Sequence, residues 1–95
     1  MQLPDTATID ETAALAQTLP ASVAEGSGPL VVDASALRRF DTSAIALLLQ
    51  ARRLATAAGR GFEVTGAPAK LAELARLYGV EELLSLAPSD GPGAA

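Results

Sequence analysis

The chain has 95 residues, of which 49% are hydrophobic and 3% aromatic, and it carries a formal net charge of −4. Its length indicates one small domain, and its acidity disfavours nucleic acid and anionic lipid headgroups as partners. Because cysteine and histidine are absent, the chain lacks disulfides, thiol chemistry, Cys/His zinc ligands and the commonest general base, so we expect no enzyme, no cofactor and no metal site.

The first segment, residues 1–4, is interpreted as the end of a strand. No signal-peptide pattern is present and no apolar run approaches 18 residues, so we expect no membrane insertion. Asp10 is predicted to cap a helix over about residues 11–24. Pro20 is expected to kink that helix, or to end it near Leu19, because proline has no N–H to donate.

The middle of the chain follows a glycine- and proline-rich break at residues 26–29. A short apolar run at residues 30–32, ending at Asp33, predicts a strand buried on both faces, as in a parallel sheet. Residues 34–41 are predicted to form a loop or one helical turn. A second helix is predicted from about residue 42 to 58, ending at Gly59.

The last third of the chain repeats this pattern. Residues 62–65 predict a strand closed by Gly66, and Pro68 suits the first turn of a helix that runs to about Tyr78. A final helical turn is predicted within residues 80–86. The composition of residues 88–95 predicts a disordered tail, so the domain is predicted to span residues 1–87.

Strands that alternate with helices predict an α/β fold with a small, mostly parallel or mixed sheet. In such a fold the carboxyl ends of the strands and the N-termini of the following helices share one edge, where sites are usually built. Asp33 ends one strand, and Asp41, Thr42 and Ser43 open the next helix. We therefore expect these four polar residues to crowd one rim of the sheet.

The polar triplet of residues 41–43 has three interpretations. Each of its residues is a good helix cap, although one cap is enough. A magnesium-dependent phosphotransfer site is disfavoured, because Lys70, the lysine that such a site needs nearby, begins a different helix. The third interpretation is a regulatory hydroxyl. A phosphate on Thr42 would gain from the helix dipole and would place about −1.5 to −2 charge beside Asp33 and Asp41.

The predicted second helix has a core stripe at residues 44, 47, 48, 51, 55 and 58. Ile45 and Leu49 flank this stripe. They either widen the core or form, with Thr42 and Arg52, a ridge that binds a partner. The two arginines before the triplet either rim the same surface or are ordinary solvated charges. The candidate partner-binding residues are Asp33, Arg38, Arg39, Asp41, Thr42, Ser43, Ile45, Leu49 and Arg52.

Three segments in order resemble the STAS domain, the fold of anti-sigma-factor antagonists. They are VDASAL at residues 32–37, FDTSAIALL at residues 40–48, and the last strand-helix unit, which starts at Gly66 and ends in LYGV at residues 77–80. The resemblance covers residues 3–86. The family usually has glycine where this chain has Ala44, and we expect the extra methyl to limit how closely a partner backbone approaches. STAS domains usually begin with a strand pair, so the resemblance implies that the first strand is missing from this sequence.

Within the family, the threonine after Asp41 and the helices that follow most resemble the small STAS subunit of the Mla-type phospholipid ABC transport system. That resemblance implies a non-enzymatic, cytoplasmic subunit that binds and supports the transporter ATPase, peripheral to the inner membrane. Thr42 then corresponds to the hydroxyl that contacts the partner or is phosphorylated, and Asp33 to the acid near it. The alternative is an anti-sigma-factor antagonist that binds an anti-sigma kinase. Oligomeric state and nucleotide binding stay open.

Overall fold

The computed structural model describes residues 1–84, in which short parallel strands alternate with helices. The predicted α/β fold is confirmed, and the predicted final turn is helical over its described part. The predicted tail at residues 88–95 lies outside the described residues. In chain order the elements are β1 Thr6–Ala7, α1 Ile9–Ala24, β2 Leu30–Asp33, β3 Arg39–Phe40, α2 Thr42–Ala57, β4 Phe62–Thr65, α3 Ala69–Leu77 and α4 Glu81–Leu84.

Two small parallel sheets are joined through the N-terminal segment. β2 pairs with β4, and β1 pairs with β3. Between them, Gln2 forms a parallel bridge with Asp33, and the Leu3 N–H donates to the Asp33 carbonyl at 2.9 Å. The interpretation of residues 1–4 as a strand end agrees with this pairing. The expectation that residues 34–41 contain no strand is wrong, because Arg39 and Phe40 pair with β1.

Helix α1 begins earlier than its predicted cap. Thr8 precedes the helix, its N–H donates to the Glu11 carboxylate at 3.0 Å, and its hydroxyl donates to the same oxygen. Asp10 is therefore not the cap. Pro20 neither ends the helix nor interrupts it before Ala24. Buried Leu19 and Val23 lie on either side of Pro20, and this packing offsets the cost of about 3 kcal/mol of a proline inside a helix.

The core lies between the strands and the helices, and its buried hydrophobic side chains are all aliphatic, with both phenylalanines of the chain packed at its edge. Val32 and Val64, which are partners on neighbouring strands, are fully buried, as are Leu48 of α2 and Leu71 of α3. Val31 is 40% exposed, so the expectation that β2 is buried on both faces is wrong. A run of apolar β-branched residues indicates a strand, but it does not say whether a second layer covers it.

Helix α2 follows its predicted pattern closely. Its predicted stripe is buried except at Ala58, which is exposed because it caps the end of the helix. Ile45 is buried and Leu49 is half-buried against the core, so both residues widen that stripe. Gly59 follows with a φ of +74°, as expected for the glycine after a helix.

Arg60 holds the end of α1 against the loop that leads to β2. Its Nη1 donates to the Val23 carbonyl at 2.8 Å, and its Nε donates to the Gly28 carbonyl at 2.7 Å. The last turn of α1 has no basic residue of its own. Arg60 therefore supplies, from a distant part of the chain, the positive charge that favours a helix C-terminus.

Gly66 is required by its backbone conformation and by its neighbour. Its φ is +66°, and a Cβ added there would lie 2.8 Å from the Ser35 Cβ. We expect Gly66→Ala to lower the free energy of unfolding by about 2–3 kcal/mol, since left-handed backbone costs about 1 kcal/mol and overpacking costs the rest. Gly59→Ala is the matched control, because Gly59 has a similar φ and open space around it. Urea denaturation of both variants measures the difference, and equal losses would contradict the proposed clash.

Candidate functional site: the N-terminus of helix α2

Two residues of the polar triplet take part in the helix cap, and the third is exposed to solvent. The Asp41 carboxylate caps α2: it accepts the Ser43 N–H at 2.9 Å and also the Ser43 hydroxyl. Asp41 and Ser43 thus bond to each other. Thr42 is exposed, and within residues 1–84 its hydroxyl has no hydrogen-bond partner. Of the three side chains, Thr42 is therefore the one left free to meet another molecule.

The carboxylates near this rim are held in their ionised form. The Ser43 hydroxyl, helped by the Ser43 N–H, lowers the pKa of Asp41. The Ser35 hydroxyl and N–H lower the pKa of Asp33 in the same way. The Thr8 hydroxyl, helped by backbone N–H groups, lowers the pKa of Glu11, against smaller opposing effects of burial and of the negative charge of Asp41. Each acid is an anion bonded to its own neighbours, which suits a structural cap better than a proton-transfer group.

Asp33 lies at the end of β2 and the triplet follows directly from β3, and no hydrogen bond within residues 1–84 joins the two. Asp33 ends β2 and accepts the Ser35 N–H at 2.9 Å, which closes its own turn. The acid on whose pKa the charge of Asp41 acts is Glu11, at the start of α1. Glu11 is not among the residues predicted from the sequence, although the spacing of Thr8 and Glu11 is a capping-box signal.

An apolar groove runs beside Thr42, between α2 and the turn that joins α3 to α4. It encloses about 420 Å³. Tyr78 and Val80 face it from that turn, and neither is among the site residues predicted from the sequence. Tyr78 is 54% exposed and the adjacent Leu77 is 78% exposed. We call this feature the docking groove. It is lined by Thr42, Ile45, Ala46, Leu49, Tyr78 and Val80.

The expectation that the Ala44 methyl limits the approach of a partner backbone is wrong. Ala44 is fully buried at the start of α2. Its methyl group faces the core, so it does not limit the approach of a partner backbone. The departure from the family's usual glycine is a packing difference.

The candidate arginines lie around α2, and none of them forms an ion pair within residues 1–84. Arg38 and Arg39 are exposed, and both of their backbone N–H groups donate to the Asp5 carbonyl. Arg52 is half-buried on α2. Within the described part of the chain, the one ion pair joins Arg76 and Glu81 at 3.7 Å. The positive charges of the three candidates are therefore not neutralised by close contacts within residues 1–84.

The described residues contain no group of three acidic side chains placed to hold a metal ion. Nor does any helix in residues 1–84 have the length and apolarity needed to cross a membrane.

The lowered pKa of Asp41 predicts how acid acts on the fold. A carboxylate whose pKa is lower in the folded than in the unfolded state stabilises the fold above its unfolded value, about 3.9, and loses that effect as the pH falls through its folded value. Asp41→Asn keeps a good cap without the charge. We expect this variant to melt below the wild type at pH 7, with the gap closing between about pH 5 and pH 2. Circular dichroism melts across that range measure the gap, and a gap independent of pH would contradict the assignment.

Comparison with known protein families connects these features to a group of proteins. A family model described as "Mlab, STAS domain" matches residues 1–85, which include α2, Thr42 and every residue of the docking groove. A search of curated proteins gave no significant match. STAS domains are generally non-enzymatic protein-interaction domains. The chain belongs to the Mlab STAS-domain family.

Proposed function

We propose that this protein is a non-enzymatic subunit that binds, and supports the activity of, the ATPase of a phospholipid-transporting ABC system. In this role it helps maintain the lipid asymmetry of the outer membrane. It acts in the cytoplasm and reaches the inner membrane only through its partner. The family match supports the transport system, and the observation that carries the site is Thr42, exposed beside an apolar groove.

The shape and chemistry of the docking groove favour a protein as its occupant. The groove is open and mostly apolar, and exposed Tyr78 and Leu77 stand at its edge. Tyrosine is among the residues that contribute most to protein–protein interfaces, because it buries a large area with few rotatable bonds. A partner side chain inserted between α2 and Tyr78 would cover apolar surface that is now exposed to water.

The charged residues around α2 can select the partner. Arg38, Arg39 and Arg52 carry positive charge that close acids within the described chain do not neutralise. Arginine is favoured at interfaces because its rigid fork of donors binds carboxylates in two contacts. We therefore expect acidic side chains on the ATPase surface opposite these arginines.

The experiment that tests the function is co-purification of the tagged chain with the transporter ATPase, followed by measurement of ATP hydrolysis. We expect a stable complex whose ATPase rate exceeds that of the ATPase alone, and no hydrolysis by the chain alone. Tyr78→Ala should weaken the complex, whereas Glu82→Ala, which changes an exposed residue outside the groove, should not. If the ATPase does not bind the wild-type chain, the proposed function is wrong.

A second candidate function is an anti-sigma-factor antagonist controlled by phosphorylation. The observation in its favour is that Thr42 is exposed in the first turn of α2, where backbone N–H groups and the helix dipole stabilise a phosphate. A complex with an anti-sigma kinase, with phosphate transferred to Thr42, would establish this function in place of the first.

A further inference from the structure

We propose that the outward face of α2 pairs with the same face of a second copy of this chain, antiparallel and about a two-fold axis. The outward face consists of Thr42, Ala46, Gln50 and Arg53, which are all exposed and recur at helical spacing. The inference concerns self-association, and the pairing itself does not depend on the proposed function.

The charges along this face are complementary to themselves when the helix is reversed. Two acids lie at the end of the face where α2 begins: Asp41 caps α2, and Glu11 lies in the first turn of α1, which packs beside the first turn of α2. Towards its end lies exposed Arg53, which has no acidic partner within residues 1–84. An antiparallel partner brings each arginine to the acidic end of the other copy. The two helix dipoles also oppose each other favourably in this arrangement.

The register of the pair follows from the size of the side chains. A shallow groove borders the outward face, and its lining includes Ala13, Ala16 and Ala46, which let another helix approach closely. With the axis midway between Ala46 and Gln50, the glutamine of one copy lies over the alanine of the other. Arg53 then lies opposite residue 43, within the reach of an arginine side chain from Asp41. By symmetry this contact forms twice.

One further residue has an exposed apolar side chain at the same place. Ile9, at the start of α1, is 69% exposed and lines the same groove together with Ser43. In the proposed register the aliphatic stem of Arg53 from the partner copy covers it. The face is short, about 24 Å for 16 helical residues, so the pair belongs among small, weak interfaces.

The dimer covers Thr42 and Ala46, which also line the docking groove. If the proposed function is correct, self-association and ATPase binding exclude each other, and the dimer is a resting form of the free subunit. This consequence rests on the proposed function, whereas the dimer can be tested on the pure chain alone.

Sedimentation velocity on the pure chain, from micromolar to millimolar concentration, tests the pairing. We expect the wild type to shift from monomer to dimer as concentration rises, and the shift to weaken at high salt. Arg53→Glu and Asp41→Arg should each be monomeric, because each variant faces a like charge twice. An equimolar mixture of the two should dimerise again, because both contacts then join opposite charges.

Several outcomes would overturn the pairing: a wild type that stays monomeric at millimolar concentration, an Arg53→Glu variant that dimerises like the wild type, or a mixture of folded variants that does not recover. Asp41 caps α2, so the Asp41→Arg variant is checked by thermal melting first. If the Asp41→Arg variant does not fold, the sedimentation of an Ala46→Arg variant replaces it as the test of the pairing. This substitution changes an exposed residue at the two-fold axis, and the variant must also be monomeric.

Discussion

Replacing Thr42 with glutamate is expected to lower the affinity for the transporter ATPase about a hundredfold or more, with no loss of folding. Thr42 lines the docking groove and has no hydrogen-bond partner within residues 1–84. In the complex, the added carboxylate would be buried beside Asp41 without a positive partner. An unpaired charge in an interface costs several kcal/mol, and each 1.4 kcal/mol is a factor of ten in affinity.

Thr42→Glu should not destabilise the free protein, because of where residue 42 lies in α2. Thr42 is the first residue of α2, and Asp41, not Thr42, caps it. A negative charge in the first helical turn is favoured by the helix dipole. The effect on the melting temperature is therefore expected to be within a few degrees.

Two variants make the Thr42 experiment specific. Thr18→Glu introduces the same charge at an exposed threonine of α1 that does not line the docking groove, and it should bind like the wild type. Thr42→Ser keeps the hydroxyl and should bind within a few-fold of the wild type. Unchanged binding of Thr42→Glu would remove Thr42 from the interface. A large fall in its melting temperature would instead make Thr42 a structural residue.

Local signals in the sequence predict some of these elements well. The bounds of β2, α2 and β4 follow from apolar runs that end at Asp33, Gly59 and Gly66, where the side chain or the backbone freedom of one residue stops the element. β3 could not be found this way. It has two residues, too few for an alternating pattern, and it exists because residues 38–40 lie beside the N-terminal segment.

The predictions for α1 that the structure corrects are wrong for a different physical reason. Pro20 is expected to kink α1 or to end it near Leu19, and the second alternative is wrong, because α1 continues to Ala24 and the burial of Leu19 and Val23 offsets the lost hydrogen bond. Thr8 and not Asp10 caps α1, because the Thr8–Glu11 capping box is a stronger cap signal than an acid before an apolar pattern. Tertiary burial and reciprocal hydrogen bonds decide both cases.

Only half of the candidate site is visible in the sequence. The triplet stands out because three hydrogen-bonding side chains precede an apolar helix. The assignment of Asp41 to the cap and of Thr42 to the surface requires the hydrogen bonds. Tyr78 and Val80 join the groove residues of α2 across a separation of 29 to 38 residues in sequence. Such contacts come from the packing of α2 against the α3–α4 turn, which no local pattern predicts.

Leu48 and Leu49 are neighbours in α2 with different expected roles. Replacing each with alanine should separate the contribution of α2 to folding stability from its contribution to ATPase binding. Leu48 is fully buried in the core, so Leu48→Ala should lower the free energy of unfolding by about 2–5 kcal/mol, through lost burial and the cavity left behind. A small domain has only about 5–15 kcal/mol in total. The melting temperature should therefore fall by ten degrees or more.

Leu49→Ala should give the opposite pattern. Leu49 is half-buried and lines the docking groove, so its truncation removes less buried surface from the core but opens the surface that we propose the ATPase covers. We expect less than half of the stability loss of Leu48→Ala, together with about a tenfold loss of ATPase affinity. Denaturant unfolding gives the first quantity. Titration with the ATPase, at a temperature where both variants are folded, gives the second. If folded Leu48→Ala binds as weakly as Leu49→Ala, the groove is not the docking surface, because a change that faces only the core would then affect binding as much as one that faces the partner.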